Sequence, residues 1–293
     1  MDTMAENAYP PFAGRALRLT LVYVALAGLG GCATTSNMGQ LEQSHSGAPI
    51  RMLVMESPMA IAQDRLHAAL APDTRAGSPA SNELIAKGEQ HAQQYALAAL
   101  ESDLDKQAGL EVIPSAAESS VPLDDIRKQN LASAITQDEA DRLRAATGAD
   151  TLLRFGITDY GLTPRAWRNG YITFEVASTL AVAGIIAYTG STAAHAAAGA
   201  YLAQETVEET AEGYAGFRAL DVVYRPVRIE AELVSLNPVA TVWKSGDTGL
   251  SDARWSRLTG KVAAAERNKQ LDQATDDAVK DVIADLSSAN RMY

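Results

Sequence analysis

The spacing of apolar residues switches between two periods along the chain, and each switch marks an element. Ile50-Arg-Met-Leu-Val-Met55 is a short apolar run rich in strand formers, stopped by the turn signal Ser57-Pro58. Residues 59–71 read as a short amphipathic helix and 72–81 (PDTRAGSPAS) as a loop. A longer helix is predicted from Asn82 or Glu83 to Gln107, with Ile85, Tyr95, Ala99 and Leu104 near helical spacing and Gly109 as its stop. Leu110 to Pro114 gives a second strand, and 124–135 a further helix. Thr136 and Glu139 have the spacing of a capping box that opens a helix ending at Thr147-Gly148.

Asp150 to Tyr160 (DTLLRFGITDY) is nearly continuous in apolar residues, which predicts a central strand over 150–159. Gly156 fits a bulge within it, and Gly161 with Pro164 ends it. Residues 165–176, rich in aromatics, read as a returning strand, and Phe217 to Tyr224 as another. Val227 to Leu236 (VRIEAELVSL) alternates with period 2, turns at Asn237-Pro238 and pairs back through Ala240 to Ser245. Residues 261–288 form a last amphipathic helix, with Val262, Ala265, Leu271, Ala274, Ala278, Val282 and Leu286 along one stripe. This order predicts an α/β (α+β) fold: a mixed sheet flanked by helices, with an apolar Ala/Gly-rich helical insertion.

The insertion, 162–217, has the most unusual pattern. Val176 to Gln204 carries no formal charge, with His195 neutral, and is bounded by Glu175 and Glu205. Its length permits one membrane span. Gly190 followed by Ser191 and Thr192 equally permits a helical hairpin, about 177–189 and 192–213. Ala177 with Ala181, Gly190 with Ala194 and Ala198, and Gly199 with Ala203 are spaced so that helices can approach closely. A buried core helix, an oligomer contact and a membrane contact all remain open readings of this stretch.

At the other end, the apolar run Leu19–Leu29 follows Arg15 and Arg18 and closes on Leu29-Gly30-Gly31-Cys32. Eleven apolar residues are too few to cross a hydrocarbon layer of about 30 Å, but they suit the h-region of a signal peptide. The Leu-small-small-Cys ending resembles the lipobox of bacterial lipoproteins. That resemblance implies cleavage after Gly31, acylation of Cys32 and a lipid-anchored tether over 32–49 (ATTSNMGQLEQSHSGAP after the cysteine). By resemblance to the sorting pattern of enteric bacteria, Ala33 in place of aspartate after the cysteine implies the outer membrane, with the domain facing the periplasm.

Cleavage leaves 262 residues, and 47% of the whole chain is hydrophobic, enough for one sizeable core. The leader's Asp2, Glu6, Arg15 and Arg18 cancel, so the mature chain keeps the net charge of −11, which argues against nucleic acid or an anionic lipid surface as the main partner. Cys32 is the only cysteine; once acylated it leaves no thiol for a disulfide or redox site. His45, His67, His91 and His195 are scattered without a second ligand at i+3 or i+4, so no metal is expected. No Gly-x-Ser-x-Gly or phosphate loop occurs, and Asp124-Asp125, Glu208-Glu209 and Asp276-Asp277 read as solvated faces. Neither catalytic residues nor a cofactor are expected. Trp167, Tyr171 and Phe174 are open to a binding patch, a strand core or an interfacial anchor.

The stretch Ala149 to Tyr160, with Glu230–Leu236 and Thr241–Ser245, resembles the periplasmic α/β domain of the curli-secretion-channel and penicillin-binding-protein-activator lipoproteins. Gly148-Ala149-Asp150 matches the opening of one family strand. Leu236 to Trp243 matches a second loosely, with Asn237-Pro238-Val239-Ala240 where the family has an acid and a glycine. The resemblance spans 50–161 and 218–288. It implies a scaffold, activator or channel subunit without catalytic residues. The expected function is therefore a non-enzymatic, lipid-anchored envelope protein that contacts an envelope protein partner or forms a homo-oligomer. The alternative is a subunit of an outer-membrane export channel, although the chain lacks the alternating hairpin pair by which the curli channel spans its membrane. A hydrolase of envelope polymer would require motifs that are missing.

Overall fold

In the computed structural model, residues 34–35, 48–114, 123–170 and 215–291 are described, and all of them belong to one unit, 31–293. Cys32, His45, Tyr171, Phe174, His195, Glu208-Glu209 and the small-residue positions Ala177, Ala181, Gly190, Ala194, Ala198, Gly199 and Ala203 lie outside the described residues.

Chain order gives β1 (Thr34–Thr35), β2 (Ile50–Glu56), α1 (Gln63–Leu70), α2 (Pro79–Leu104), β3 (Leu110–Ile113), α3 (Asp124–Arg127), α4 (Gln137–Thr147) and β4 (Thr151–Tyr160). Two helical stretches follow, α5 over 165–170 and α6 over 215–223. Then come β5 (Val227–Leu236), β6 (Val239–Gly249), a single 3₁₀ turn (Trp255–Leu258) and α7 (Ala264–Arg291).

The strands form one mixed sheet in the order β1-β6-β5-β4-β2-β3. β2 is parallel to both β3 and β4, whereas β4–β5, β5–β6 and β6–β1 are antiparallel. β4 is interior, as its continuous apolar pattern requires, and Leu153 is fully buried. On one face Leu153, Phe155, Leu233 and Trp243 pack against α1, α2 and α7. On the other, Leu53, Met55, Leu152 and Val234 meet Ile126 of α3 and Ala140 and Leu143 of α4. The fold is thus the α/β arrangement of a mixed sheet between helices.

The capping box forms as the spacing demands. Thr136 Oγ1 accepts the Glu139 N–H at 3.3 Å, and the Glu139 carboxylate accepts the Thr136 N–H at 2.8 Å. Gly148 closes α4 with φ of +66°, a left-handed value that glycine adopts without strain. The α7 stripe buries Leu271, Ala274, Ala278, Val282 and Leu286, while Ala265 is exposed and Val262 precedes the helix.

Six expectations need correction. Gly156 pairs in register with Glu230, and the bulge lies after it, between Ile157 and Asp159, where one extra residue of β4 has no partner on β5. The first helix runs over Gln63–Leu70, shorter than 59–71. α2 starts at Pro79, inside the expected loop, because Ser78 caps it by accepting the Ser81 N–H and proline fits the first helical turn. The helix expected over 124–135 ends at Arg127. Asn130 Oδ1 accepts the Ala132 N–H at 2.8 Å, a local bond that competes with the helix. Residues 165–170 are helical rather than extended, since Pro164 opens a turn whose carbonyl accepts from Trp167 and Arg168. Residues 215–223 are helical as well. Val222-Val223 suggests a strand, but Phe217, Leu220 and Val223 recur every three residues along one face.

Candidate functional site

The polar side chains with the most unusual surroundings gather at one end of the sheet, where the insertion leaves β4 and returns to β5. Gly161 donates its N–H to the Pro226 carbonyl at 2.7 Å, so the two crossing points are adjacent. Thr163, fully buried, donates its hydroxyl to Asp221 at 2.6 Å, and its N–H reaches the same oxygen. Arg168 donates to the other Asp221 oxygen at 2.6 Å and to the Thr163 carbonyl at 3.2 Å, with its guanidinium 5.2 Å from the Phe217 ring centre. Asp221 on α6 is thereby bonded to both the turn after β4 and α5. This pins the two roots of the insertion to each other.

A second layer fixes that pair to the sheet. Arg65 of α1 donates to Asp159 at 2.8 Å and to the Thr163 carbonyl at 2.9 Å. Burial pushes the Asp159 carboxyl above its ordinary value, and Arg65 and Arg165 pull it back. The last carbonyls of α6 have no helical partners and are capped from outside. Arg257 reaches Val223 O at 2.9 Å, Gln270 reaches Val222 O at 3.2 Å and Val223 O at 3.1 Å, and the Ser251 N–H reaches Tyr224 O at 2.9 Å. Arg225 follows with φ of +44° and only 7% exposure. Burial, together with nearby Arg267 and Arg257, brings its pKa down to about 10 against the pull of Asp221.

Across the sheet, Arg154 on β4 faces Glu232 on β5, which faces Lys244 on β6. The first pair is a buried, short ion pair, and Lys244 holds the other Glu232 oxygen at 2.9 Å. On the opposite face, Ser245 donates to Asp285 at 2.7 Å and to Asp247 at 3.1 Å. Burial, then Asp285, raises the Asp247 carboxyl; burial, then Asp277 and Asp285, raises Asp281.

Among the expected residues, His91 is exposed and contacts Asp272 at 2.9 Å, while His67 contacts Thr74 O at 3.0 Å. Trp167 is half-buried on α5, part of the insertion root. Asp125 pairs with Arg142 at 2.6 Å, Asp276 accepts the Tyr95 hydroxyl at 3.0 Å, and Asp277 accepts the Leu250 N–H at 2.9 Å. Asp276 and burial push the Tyr95 hydroxyl up to about 12, burial being the larger cause. Among the described residues no group of three His, Cys, Asp or Glu is placed to hold a metal ion. Nor is any helix among them long and apolar enough to cross a membrane. The Thr163–Asp221–Arg168 clamp was not foreseen from the sequence; polar residues this far apart leave no periodic trace.

Solved structures similar to this chain include three from different bacteria. Lipoprotein GNA1162 from Neisseria meningitidis is 12% identical, with 82% of this chain and 99% of that one aligned at a TM-score of 0.34. The hypothetical protein CT253 from Chlamydia trachomatis is 8% identical, over 84% and 100% of the two chains, at 0.38. The PelC dodecamer from Paraburkholderia phytofirmans is 11% identical, over 87% and 96%, at 0.31. No protein-family model matches the chain, and no curated protein does. Overlaps of this depth establish neither kinship nor role, so the functional reading rests on the chain's own residues.

Proposed function

We propose that this is a lipid-anchored cell-envelope protein on the periplasmic side of the outer membrane, and that it acts by protein contact or assembly rather than by catalysis. Its anchor is Cys32 at the end of Leu29-Gly30-Gly31. Its working part is the insertion, and its α/β domain is the frame that presents that insertion. The observation that carries this reading is the clamp in which Asp221 holds Thr163 and Arg168. A chain that invests buried polar groups in fixing both roots of an insertion is holding its direction for a partner. The small residues Ala177, Ala181, Gly190, Ala194, Ala198, Gly199 and Ala203 give that insertion a face suited to close helix packing, against an envelope protein or a second copy.

Two measurements test this reading. Intact mass of the membrane fraction should show a chain that begins at Cys32 and carries acyl mass; an unmodified amino terminus refutes the anchor. Crosslinking in intact cells should capture a discrete adduct, and Ala198→Leu should abolish it while the monomer stays folded. An adduct that survives Ala194→Leu and Ala198→Leu alike refutes the insertion as the contact.

A further inference from the structure

β1 begins two residues after Cys32, and β1 is part of the sheet. Thr34 pairs with Lys244 and Thr35 with Trp243, antiparallel to β6. β1 therefore points from the Gly249 end of β6 towards its Val239 end. Two residues of chain reach at most about 7 Å. An acyl chain on Cys32 would therefore be joined to the Thr34 end of β1, on the β6 edge of the sheet, by no more than that length of chain. A tether of seventeen residues would have left the domain free to tumble; a two-residue lead does not.

That end of the sheet also carries an exposed apolar pair. Trp255 is 63% exposed and Leu258 44%, both on the 3₁₀ turn after β6. Trp255 sits edge-on to Tyr224, ring centres 6.5 Å apart, and Ser251 bonds the Tyr224 carbonyl, so the turn is fixed beside the start of β5. Around it stand exposed Arg254 and Lys261, which flank a shallow cavity of about 240 Å³. Their charges are balanced by Asp252 at 2.9 Å and Asp73 at 3.3 Å, so the patch carries cations without a large local net charge. An exposed tryptophan and leucine beside an arginine and a lysine, each paired with an acid, suit the headgroup–acyl boundary of a bilayer. The insertion leaves and re-enters the sheet at this same end.

We propose that this end of the domain lies on the phospholipid surface, with Trp255 and Leu258 in the interface, Arg254 and Lys261 at the phosphates, and acylated Cys32 beside them. The proposal rests on acylation of Cys32. It adds an orientation: the anchor does not merely tether the domain, it seats it, with the roots of the insertion facing the bilayer.

The test uses the mature chain, isolated from membranes and reconstituted in vesicles of phosphatidylethanolamine and phosphatidylglycerol with brominated acyl chains. Tryptophan emission should be quenched, and Trp255→Phe, which keeps an aromatic edge against Tyr224, should remove most of that quenching without changing the melting temperature. Leu258→Gln should reduce quenching of the remaining Trp255. Quenching unchanged by Trp255→Phe would overturn the proposal, because Trp167 or Trp243 would then be the lipid contact. Free quenching by aqueous iodide would overturn it by showing a solvated patch. So would protection from both quenchers with a lower scattering mass in Trp255→Phe, which would mean that a second copy covers the patch. Intact mass separates the two failures. Without acyl mass at Cys32 the anchor itself fails, whereas an acylated chain with an unquenched Trp255 disproves only the orientation.

Discussion

Asp221 accepts the hydroxyl of Thr163 at 2.6 Å across 58 positions of sequence, and the same carboxylate holds Arg168. The three side chains close the base of the insertion. Asp221→Ala would leave the buried Thr163 hydroxyl and N–H without an acceptor and Arg168 without its counter-charge. The expected loss is about 2–3 kcal/mol, with a raised rate of amide exchange at Thr163. Asp221→Asn keeps one acceptor oxygen and should lose about 1 kcal/mol. Equal denaturation midpoints for wild type and Asp221→Ala would show that the roots are held by other contacts.

Gly249 ends β6 against the backbone of α7. A Cβ at this position would press on the carbonyl oxygen of Ala274 and the amide nitrogen of Ala278. Both are main-chain atoms of a packed helix and cannot swing aside. Gly249→Ala should therefore cost at least about 1–3 kcal/mol. Gly216, in α6, has nothing within 4 Å of its own Cβ position. Gly216→Ala should gain up to about 1 kcal/mol through helix propensity alone. Thermal melts of the two variants that shift in the same direction would contradict this contrast.

The strands were legible in the sequence because one physical rule governs each. β5 alternates in sequence although it lies between β4 and β6 and most of its residues are buried, whereas β2 and β4, also interior, read as apolar runs. The Thr136–Glu139 cap was legible because both partners lie within four residues. The helices at 165–170 and 215–223 were not, because Trp167 and Val222-Val223 favour strands on their own. What decides for helix is Pro164 at one start and the capping of α6 by Arg257 and Gln270 from distant elements. The clamp was illegible for the same reason: Thr163 and Asp221 meet only once β4 and β5 have paired in register. β1 was hidden in a polar tract, since two residues on a sheet edge need no apolar side chain.

Arg154 and Glu232 form a buried ion pair, and Arg154 also donates to Ser133 O. Removing one partner strands a charge inside the sheet. Glu232→Leu or Arg154→Met alone should each cost about 3–5 kcal/mol. The double variant Arg154→Met/Glu232→Leu should recover most of the loss, because the desolvation cost of both ions disappears with them. A cycle in which the single losses simply add would show that the pair is not coupled.

Asp247 links the sheet to pH. Its carboxyl lies above the ordinary value because of burial and because the Asp285 and Asp281 carboxylates lie near it, against the opposing pull of the hydrogen bond that the Ser245 hydroxyl donates to it. Asp281 is raised in the same way, by burial and by Asp277 and Asp285. An acid whose folded pKa is raised binds its proton more readily in the folded state than in the unfolded one. Stability therefore falls as pH rises from the ordinary carboxylate range, about 4, through the raised folded value, and the full cost persists at neutral pH. Asp247→Asn removes one negative charge and supplies an amide that can donate to Asp285. It should stabilise the domain at neutral pH, and the advantage should shrink as pH falls through the folded pKa and vanish near pH ~4. Urea midpoints of wild type and variant, measured across that window, check the sign. An advantage that grew on acidification would mean that Asp247 is stabilised as the carboxylate, with its pKa lowered rather than raised.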